Sequence, residues 1–270
     1  MSEAVNDPGP ATPQGRKAGP TVSVIVPTRN EARNLPYVAS RMPALDQIIV
    51  VDGHSDDDTV EVARALWPHA IITTQTRRGK GNALACGFEL ATCDIIVMLD
   101  ADGSTDPAEI PLFVRALVEG AQLAKGSRFI RGGGSSDITR IRRAGNFGLN
   151  WLVNCIFGTR FTDLCYGYNA FWRTVLPTLD LPPTTLSEPQ WGDGFEIETV
   201  INVRIARNRL KIREVPSFEG ERLHGVSNLN AVTDGLRVLR TIGLEWRQHR
   251  NSTSRTCSEQ PDDTEFRRAG

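Results

Sequence analysis

Residues 94–107 read DIIVMLDADGSTDP. An unbroken apolar run, Ile95 to Leu99, ends on Asp100, with Asp102 two residues further and a Gly-Ser-Thr turn behind it. A short apolar run bounded by turn residues reads as a strand buried on both faces. Alternate residues of an extended backbone share a face, so the two carboxylates are expected to point the same way. They repel each other unless something positive lies between them. A close pair of hard oxygen ligands suits Mg²⁺ or Mn²⁺ better than Zn²⁺. The alternative is a solvated strand end closed by an Asx-turn.

The same pattern repeats on either side. TVSVIVPT (21–28), QIIVVD (47–52), AIITTQ (70–75) and AQLAKGSRF (121–129) read as further strands. Between them lie helical stretches at 30–42, opened by Asn30, and at 53–67, with Ser55 as N-cap and Val60, Ala63 and Leu66 on one face. Two more follow, at 79–92 behind a glycine pair and at 107–119 with Pro107 in its first turn. Doubly apolar strands alternating with helices specify an α/β fold with a parallel sheet covered on both faces. Ligands of such sheets collect at the carboxyl ends of the strands. Asp52 and the Asp100/Asp102 pair both fall there.

After Arg128 the pattern changes. A glycine-rich loop runs into a basic segment (129–146), then an apolar helix (146–158), a polar–aromatic strand (162–173) and an amphipathic helix behind a loop (191–208). A late strand (210–218) and a final helix (228–250) complete the pattern. The reading is therefore one domain over 21–250, with a first half to 128 and a second from 129, between polar tails at 1–20 and 251–270.

Bulk properties exclude several classes. A net charge of −1 over 270 residues gives no global attraction to nucleic acid or membrane. Five scattered cysteines form no metal-ligand spacing, which fits free thiols in a reducing compartment. The first twenty residues lack the apolar core of a signal peptide, and no apolar run reaches the roughly 20 residues of a membrane span. A cytoplasmic location is expected, with peripheral membrane contact and a homodimer both left open.

Two basic stretches could meet phosphate. TRRGKGNA (76–83) brings Arg77, Arg78 and Lys80 to a helix N-terminus, where backbone N–H groups and the helix dipole favour anions. It departs from the dinucleotide pattern, since Leu84 stands at the third glycine, and no P-loop motif is present. Residues 128–143 carry Arg128, Arg131, Arg140, Arg142 and Arg143 against a single opposing acid, Asp137, beside three glycines. This suits an anion clamp or lid.

In order and spacing, VIVPTRNEARNLP, VVDGHSDDDT, RRGKGNAL, DIIVMLDADGSTDP and GSRF resemble the nucleotide-sugar glycosyltransferases of family 2. TDLCYGYNAFWR and the stretch from GFEIETVINVRIA to HGVSNL resemble their dolichol/polyprenyl-phosphate mannose synthase branch. The resemblance covers about residues 21–246. It implies a GT-A fold: a Rossmann-like, mixed but mostly parallel sheet flanked by helices, with a C-terminal helical and β extension on the acceptor side. It further implies an inverting, metal-dependent transfer from a UDP- or GDP-linked sugar.

By the same resemblance, Pro27, Thr28, Asn30, Glu31 and Asp52 line the base and ribose pocket, with Lys80 beside it. Asp100, Ala101 and Asp102 form the D-x-D that holds Mg²⁺ or Mn²⁺ on the diphosphate, with Ser104 near the metal. Arg128, Arg131 and Arg222 meet phosphates, and His224 is a candidate third metal ligand. Two departures stand out: Gly53 replaces a usual second aspartate, and RLHGVSN (222–228) has Asn228 where the branch carries a lysine.

The implied acceptor is a polyprenyl or dolichyl phosphate, with a soluble small molecule such as a phosphoglycerate as the alternative. A hydroxyl acceptor needs a general base, whereas a phosphate monoester is already ionised near neutral pH. Asp193 and Asp163 are the candidate acids. Asp193 is read equally as a cap for the helix that follows it. A sugar nucleotidylyltransferase is disfavoured because VPTRNEARN lacks a glycine-rich activating loop. An inactive scaffold is disfavoured because Asp52, Lys80, Asp100 and Asp102 are all present.

Overall fold

A computed structural model describes residues 19–225 and 231–258. The expected tails therefore lie outside it, except for residues 19–20 and 251–258, and so does Asn228. A seven-stranded sheet forms the centre, in the order β3 (Ile71–Thr74), β2 (Gln47–Asp52), β1 (Val22–Thr28), β4 (Ile95–Met98), β7 (Asn169–Trp172), β5 (Leu123–Ser127), β8 (Ile212–Pro216). All neighbours are parallel except β7, which runs antiparallel between β4 and β5. The second half of the chain thus completes the sheet of the first. A short parallel pair, β6 (Gly134–Ser135) with β9 (Phe218–Glu219), stands apart.

Side-chain alternation places a core on each face. Val24, Val26, Ile95 and Val97 pack under α1 (Leu35–Arg41), α2 (Thr59–Leu66) and α4 (Ile110–Val118). Ile25, Ile49, Ile96 and Met98 face α3 (Lys80–Leu90), α6 (Leu176–Leu179) and α7 (Ile197–Arg207). A third cluster joins α7 to α5 (Arg140–Phe157) and α8 (Ala231–Ser258) through Val153, Leu164, Val203, Val238 and Ile242. α7 is buried along most of its length, so it is a core helix and not the amphipathic one expected. Among the described residues no helix is long and apolar enough to cross a membrane.

Several boundaries differ from the sequence reading, for local reasons. Asn30 is left-handed (φ 57°) and opens no helix, and α1 begins at Leu35. Ser55 does not cap α2, which starts at Thr59, because its hydroxyl donates to Asp52 at 2.6 Å. The buried face of α2 is Thr59 and Ala63, with Val62 and Leu66 against the core, and Val60 is not part of it. The basic residues from Arg140 are the first turn of α5, whose N-cap Thr139 accepts from the Arg142 amide. α8 runs on to Ser258, past the expected end at Arg250.

Residues 162–168 precede β7 as irregular chain, held by asparagines one turn apart on α5. The Asn146, Asn150 and Asn154 side chains accept from the amides of Cys165, Leu164 and Phe161. Asn150 and Asn154 also donate to the carbonyls of Thr162 and Phe161. Side-chain amides mimic a strand partner here, which satisfies buried backbone that belongs to no ladder.

Lys125 on β5 is fully buried, its ammonium donating to the Tyr166 and Gly126 carbonyls. Burial pushes its pKa down from 10.5 to about 8, despite Asp163 and Glu214 nearby. Between these values the unfolded chain holds a proton that the folded chain lacks, so stability attributable to Lys125 rises with pH across that window. Denaturant melts should show wild type gaining on Lys125→Met by about 3 kcal/mol between pH 8 and pH 10.5. A constant difference would contradict this.

Candidate active site

A cavity of about 960 Å³ opens at the carboxyl ends of β1 and β4. Pro27, Thr28, Glu31, Lys80, Asp100, Ala101, Asp102, Ser104, Arg128 and Arg222 line it, as expected of a ligand site. β4 stops at Met98, so Asp100 lies on irregular chain just past the strand and Asp102 on the turn that follows, not on one extended strand as assumed above. This segment still brings both into one cavity.

Each aspartate meets a cation. The Lys80 ammonium lies 2.6 Å from Asp100 and 2.8 Å from Glu198. Arg222 lies 3.2 Å from Asp102 and 3.0 Å from Glu31. Burial works against the Lys80 charge, but Asp100 and Glu198 more than reverse it and hold its pKa above the ordinary lysine value. Burial raises the Glu31 pKa, with Asn34 and Arg222 opposing. Ser104 donates through both its amide and its hydroxyl to the far oxygen of Asp102, so it orients that carboxylate. Gly167 packs against this cluster: a Cβ there would lie 2.9 Å from the Lys80 nitrogen and 3.0 Å from Glu198, and would push those side-chain ends aside.

Four carboxylates (Glu31, Asp100, Asp102, Glu198) thus face two cations, which leaves an excess of two negative charges. That deficit and the hard-oxygen donors fit one divalent ion whose remaining ligands are water and phosphate. His224 is not among the residues that line the cavity. Among the described residues no three His, Cys, Asp or Glu groups gather into a metal site, and the ring of His224 is exposed.

Other expected site residues fall outside the lining. Asp52 is buried, with its oxygens taken by the Ser55 amide and hydroxyl. Its neighbour Gly53 lines the cavity instead. The Asn30 side chain accepts from the Asp56 amide, and Arg131 is exposed.

Both candidate bases are locked in arginine forks. Asp163 is fully buried and accepts from Arg128 Nε at 2.7 Å and Nη2 at 2.8 Å, from the Arg128 amide and from Asn146. Its oxygens have no capacity left for a substrate proton. Asp193 accepts from Arg77 Nε and Nη2, both at 2.8 Å, and from the Gln190 amide. It is not the N-cap of α7 either, since that position is Glu196.

The same geometry corrects the phosphate role assigned to 76–83. Arg77 is buried and also donates to the Pro183 and Leu186 carbonyls. The Asp193 carbonyl caps the N-terminus of α3, accepting from Gly81 at 2.7 Å and Asn82 at 3.2 Å. A side chain at Gly79 or Gly81 would collide with the 192–193 backbone. Those glycines therefore admit a protein loop, and the expected anion cradle is filled by the chain itself. Arg128 likewise gives its guanidinium to Asp163 and Glu219, and within the clamp segment Arg142 pairs with Asp137.

Glu198 was missed. In sequence it reads as an ordinary acid in a first helical turn, complementing the dipole. Only its place on a buried helix facing Lys80 reveals it.

A mixed, mostly parallel sheet with paired aspartates and counter-cations at its strand ends defines a GT-A glycosyltransferase. The model described as glycosyl transferase family 2 matches residues 23–177, and the chain belongs to that family of enzymes. It is 32% identical to a dolichol-phosphate mannosyltransferase of Pyrococcus furiosus, over 78% of this chain and 60% of that one. It is 30% identical to an undecaprenyl-phosphate mannosyltransferase of Micrococcus luteus, over 81% of this chain and 91% of that one. Among solved structures it resembles glucosyl-3-phosphoglycerate synthase from Mycobacterium tuberculosis in complex with Mn²⁺, uridine diphosphate and glucosyl-3-phosphoglycerate. The TM-score is 0.62 and the identity 25%, over 85% of this chain and 81% of that one.

If Asp193 is a latch and not a base, Asp193→Ala should cost about 3–5 kcal/mol of stability, as breaking a buried ion pair does. A denaturant melt matching wild type would contradict the latch.

Proposed function

We propose that the chain transfers a sugar, with inversion, from a nucleoside-diphosphate sugar to a polyprenyl phosphate, with Mg²⁺ or Mn²⁺ held by Asp100 and Asp102. Bound there, the ion would neutralise charge on the departing diphosphate. Lys80 holds Asp100 in place through their ion pair. Pro27, Thr28 and Gly53 form the wall of the donor end.

One observation carries the choice of acceptor. Of the acids lining the cavity, Asp100, Asp102, Glu31, Glu198, Glu219, Asp137 and Asp234 are all ion-paired, and the remaining one, Glu221, is exposed. A site without a free buried carboxylate suits a nucleophile that arrives already ionised, as a phosphate monoester does.

The same cavity is lined by Ile138, Ile141 and Leu149 of the α5 region and Val238 of α8, which suits an isoprenoid tail. Gly145 and Gly235 also line it, each with open space where a Cβ would stand. Ile141 (80% exposed), Phe147 (74%) and Trp151 (63%) on α5, with Leu236 and Trp246 on α8, offer an apolar face for peripheral contact with the lipid surface that holds such an acceptor. The likeness to two lipid-phosphate mannosyltransferases points the same way. The likeness to glucosyl-3-phosphoglycerate synthase favours a second reading, in which the acceptor is a soluble phosphate-bearing molecule.

With labelled donor and polyprenyl phosphate, label should pass into the organic phase. Asp102→Ala should lower that rate by about 10²–10³ while its thermal melt stays that of a folded protein. Label transferred to phosphoglycerate alone would overturn the lipid acceptor, and full turnover by Asp102→Ala would overturn the metal assignment.

A further inference from the structure

Arg222 reaches two carboxylates with different nitrogens. Nη1 lies 3.0 Å from Glu31, and Nη2 lies 3.2 Å from Asp102. Glu31 is itself fixed, since Asn34 donates to its other oxygen and the Glu31 amide is tied to Thr59. Asp102 has one oxygen saturated by Ser104, so Arg222 covers the oxygen that is left for a ligand. Asp100 is arranged in the same way: its counter-ion Lys80 also has a second carboxylate, Glu198. Each cation on the aspartate pair therefore has another anion to hold when the aspartate is taken.

We propose that Arg222 is a displaceable stand-in for the divalent cation at Asp102: it swings off that carboxylate when the metal enters, stays anchored on Glu31, and turns its freed nitrogen to the donor diphosphate. This rests on the reading of Asp100 and Asp102 as the cation ligands. The residues around it allow the motion. Gly220 and Gly225 flank the segment, Gly225 is left-handed (φ 85°), and the Arg222 side chain is only partly buried.

Two consequences follow from linkage. Metal entering alone must break the Arg222–Asp102 pair, so its affinity in the absence of nucleotide is lowered. A nucleotide diphosphate that recruits Arg222 removes that competition, so metal and nucleotide strengthen each other's binding by one common factor. Glu31 sets the balance. Without its charge, Arg222 rests more firmly on Asp102, and the metal binds less well.

The test is Mn²⁺ titration of the full chain, following the free aqua ion by electron paramagnetic resonance, with and without UDP or GDP. Arg222→Ala should bind Mn²⁺ alone about 5–10-fold more tightly than wild type and lose most of the enhancement that nucleotide gives. Glu31→Gln should move the first quantity the opposite way, weakening Mn²⁺ binding. Opposite signs follow from the two charges alone, so the lost nucleotide enhancement in Arg222→Ala is the readout that marks displacement. Arg222→Lys, which keeps the charge but has one nitrogen for two carboxylates, should fall between wild type and Arg222→Ala, and circular dichroism confirms that each variant is folded.

Wild-type Mn²⁺ binding that vanishes in Asp102→Ala but is unchanged in Arg222→Ala would overturn the stand-in and leave the metal site standing. Weaker Mn²⁺ binding by Arg222→Ala would overturn it too. Absence of Mn²⁺ binding by wild type, with nucleotide or without, would overturn the metal reading itself, and the stand-in with it.

Discussion

The organising constraint of this molecule is the crowding of negative charge at the carboxyl ends of its central strands. Asp100 and Asp102 follow the end of β4, and Glu31 and Glu198 approach from the loop after β1 and from α7. Such a cluster is tolerable only if cations are interleaved with it. Lys80 does this for Asp100 and Glu198, and so ties the first half of the chain to the second through one ammonium. Arg222 does it for Asp102 and Glu31 from the last loop before the final helix. The balance is left two charges short, which is what a divalent cation supplies.

Around this centre, buried arginine forks serve architecture. Arg77 with Asp193 fastens the loop that precedes α7 onto the start of α3 and so sets where Lys80 begins its helix. Arg128 with Asp163 fastens the segment before β7, and Asn146 of α5 joins the same carboxylate. The bidentate geometry matters because a planar guanidinium fixes direction as well as distance. The Arg77–Asp193 fork lies behind the cavity, whereas Arg128 lines it with its guanidinium already held by Asp163 and Glu219.

Much of this was legible in the sequence. Doubly apolar strands ending in Pro27-Thr28, Asp52 and Asp100 gave the sheet and the edge on which ligands sit. The D-x-D gave the cation ligands proposed here. What was not legible depended on distant pairing. Arg77 and Asp193 lie 116 positions apart, and nothing local distinguishes a latch from a base. The glycines of GKG looked like a phosphate cradle because close backbone approach has the same signature whether the guest is an anion or a loop. Glu198 looked like a helix-dipole acid because burial of α7 depends on α5 and α8. The antiparallel entry of β7 between β4 and β5 was hidden because a four-residue strand carries no signal of direction.

The central claim is that the cluster at Asp100 and Asp102 is a metal-dependent donor site. Calorimetric titration of the full chain with UDP- and GDP-linked sugars, in Mn²⁺ or Mg²⁺ and again in EDTA, tests it most directly. The account predicts that one donor binds in the presence of the metal and that this binding is lost in EDTA. Equal affinity in both conditions, or no donor binding in either, would contradict it.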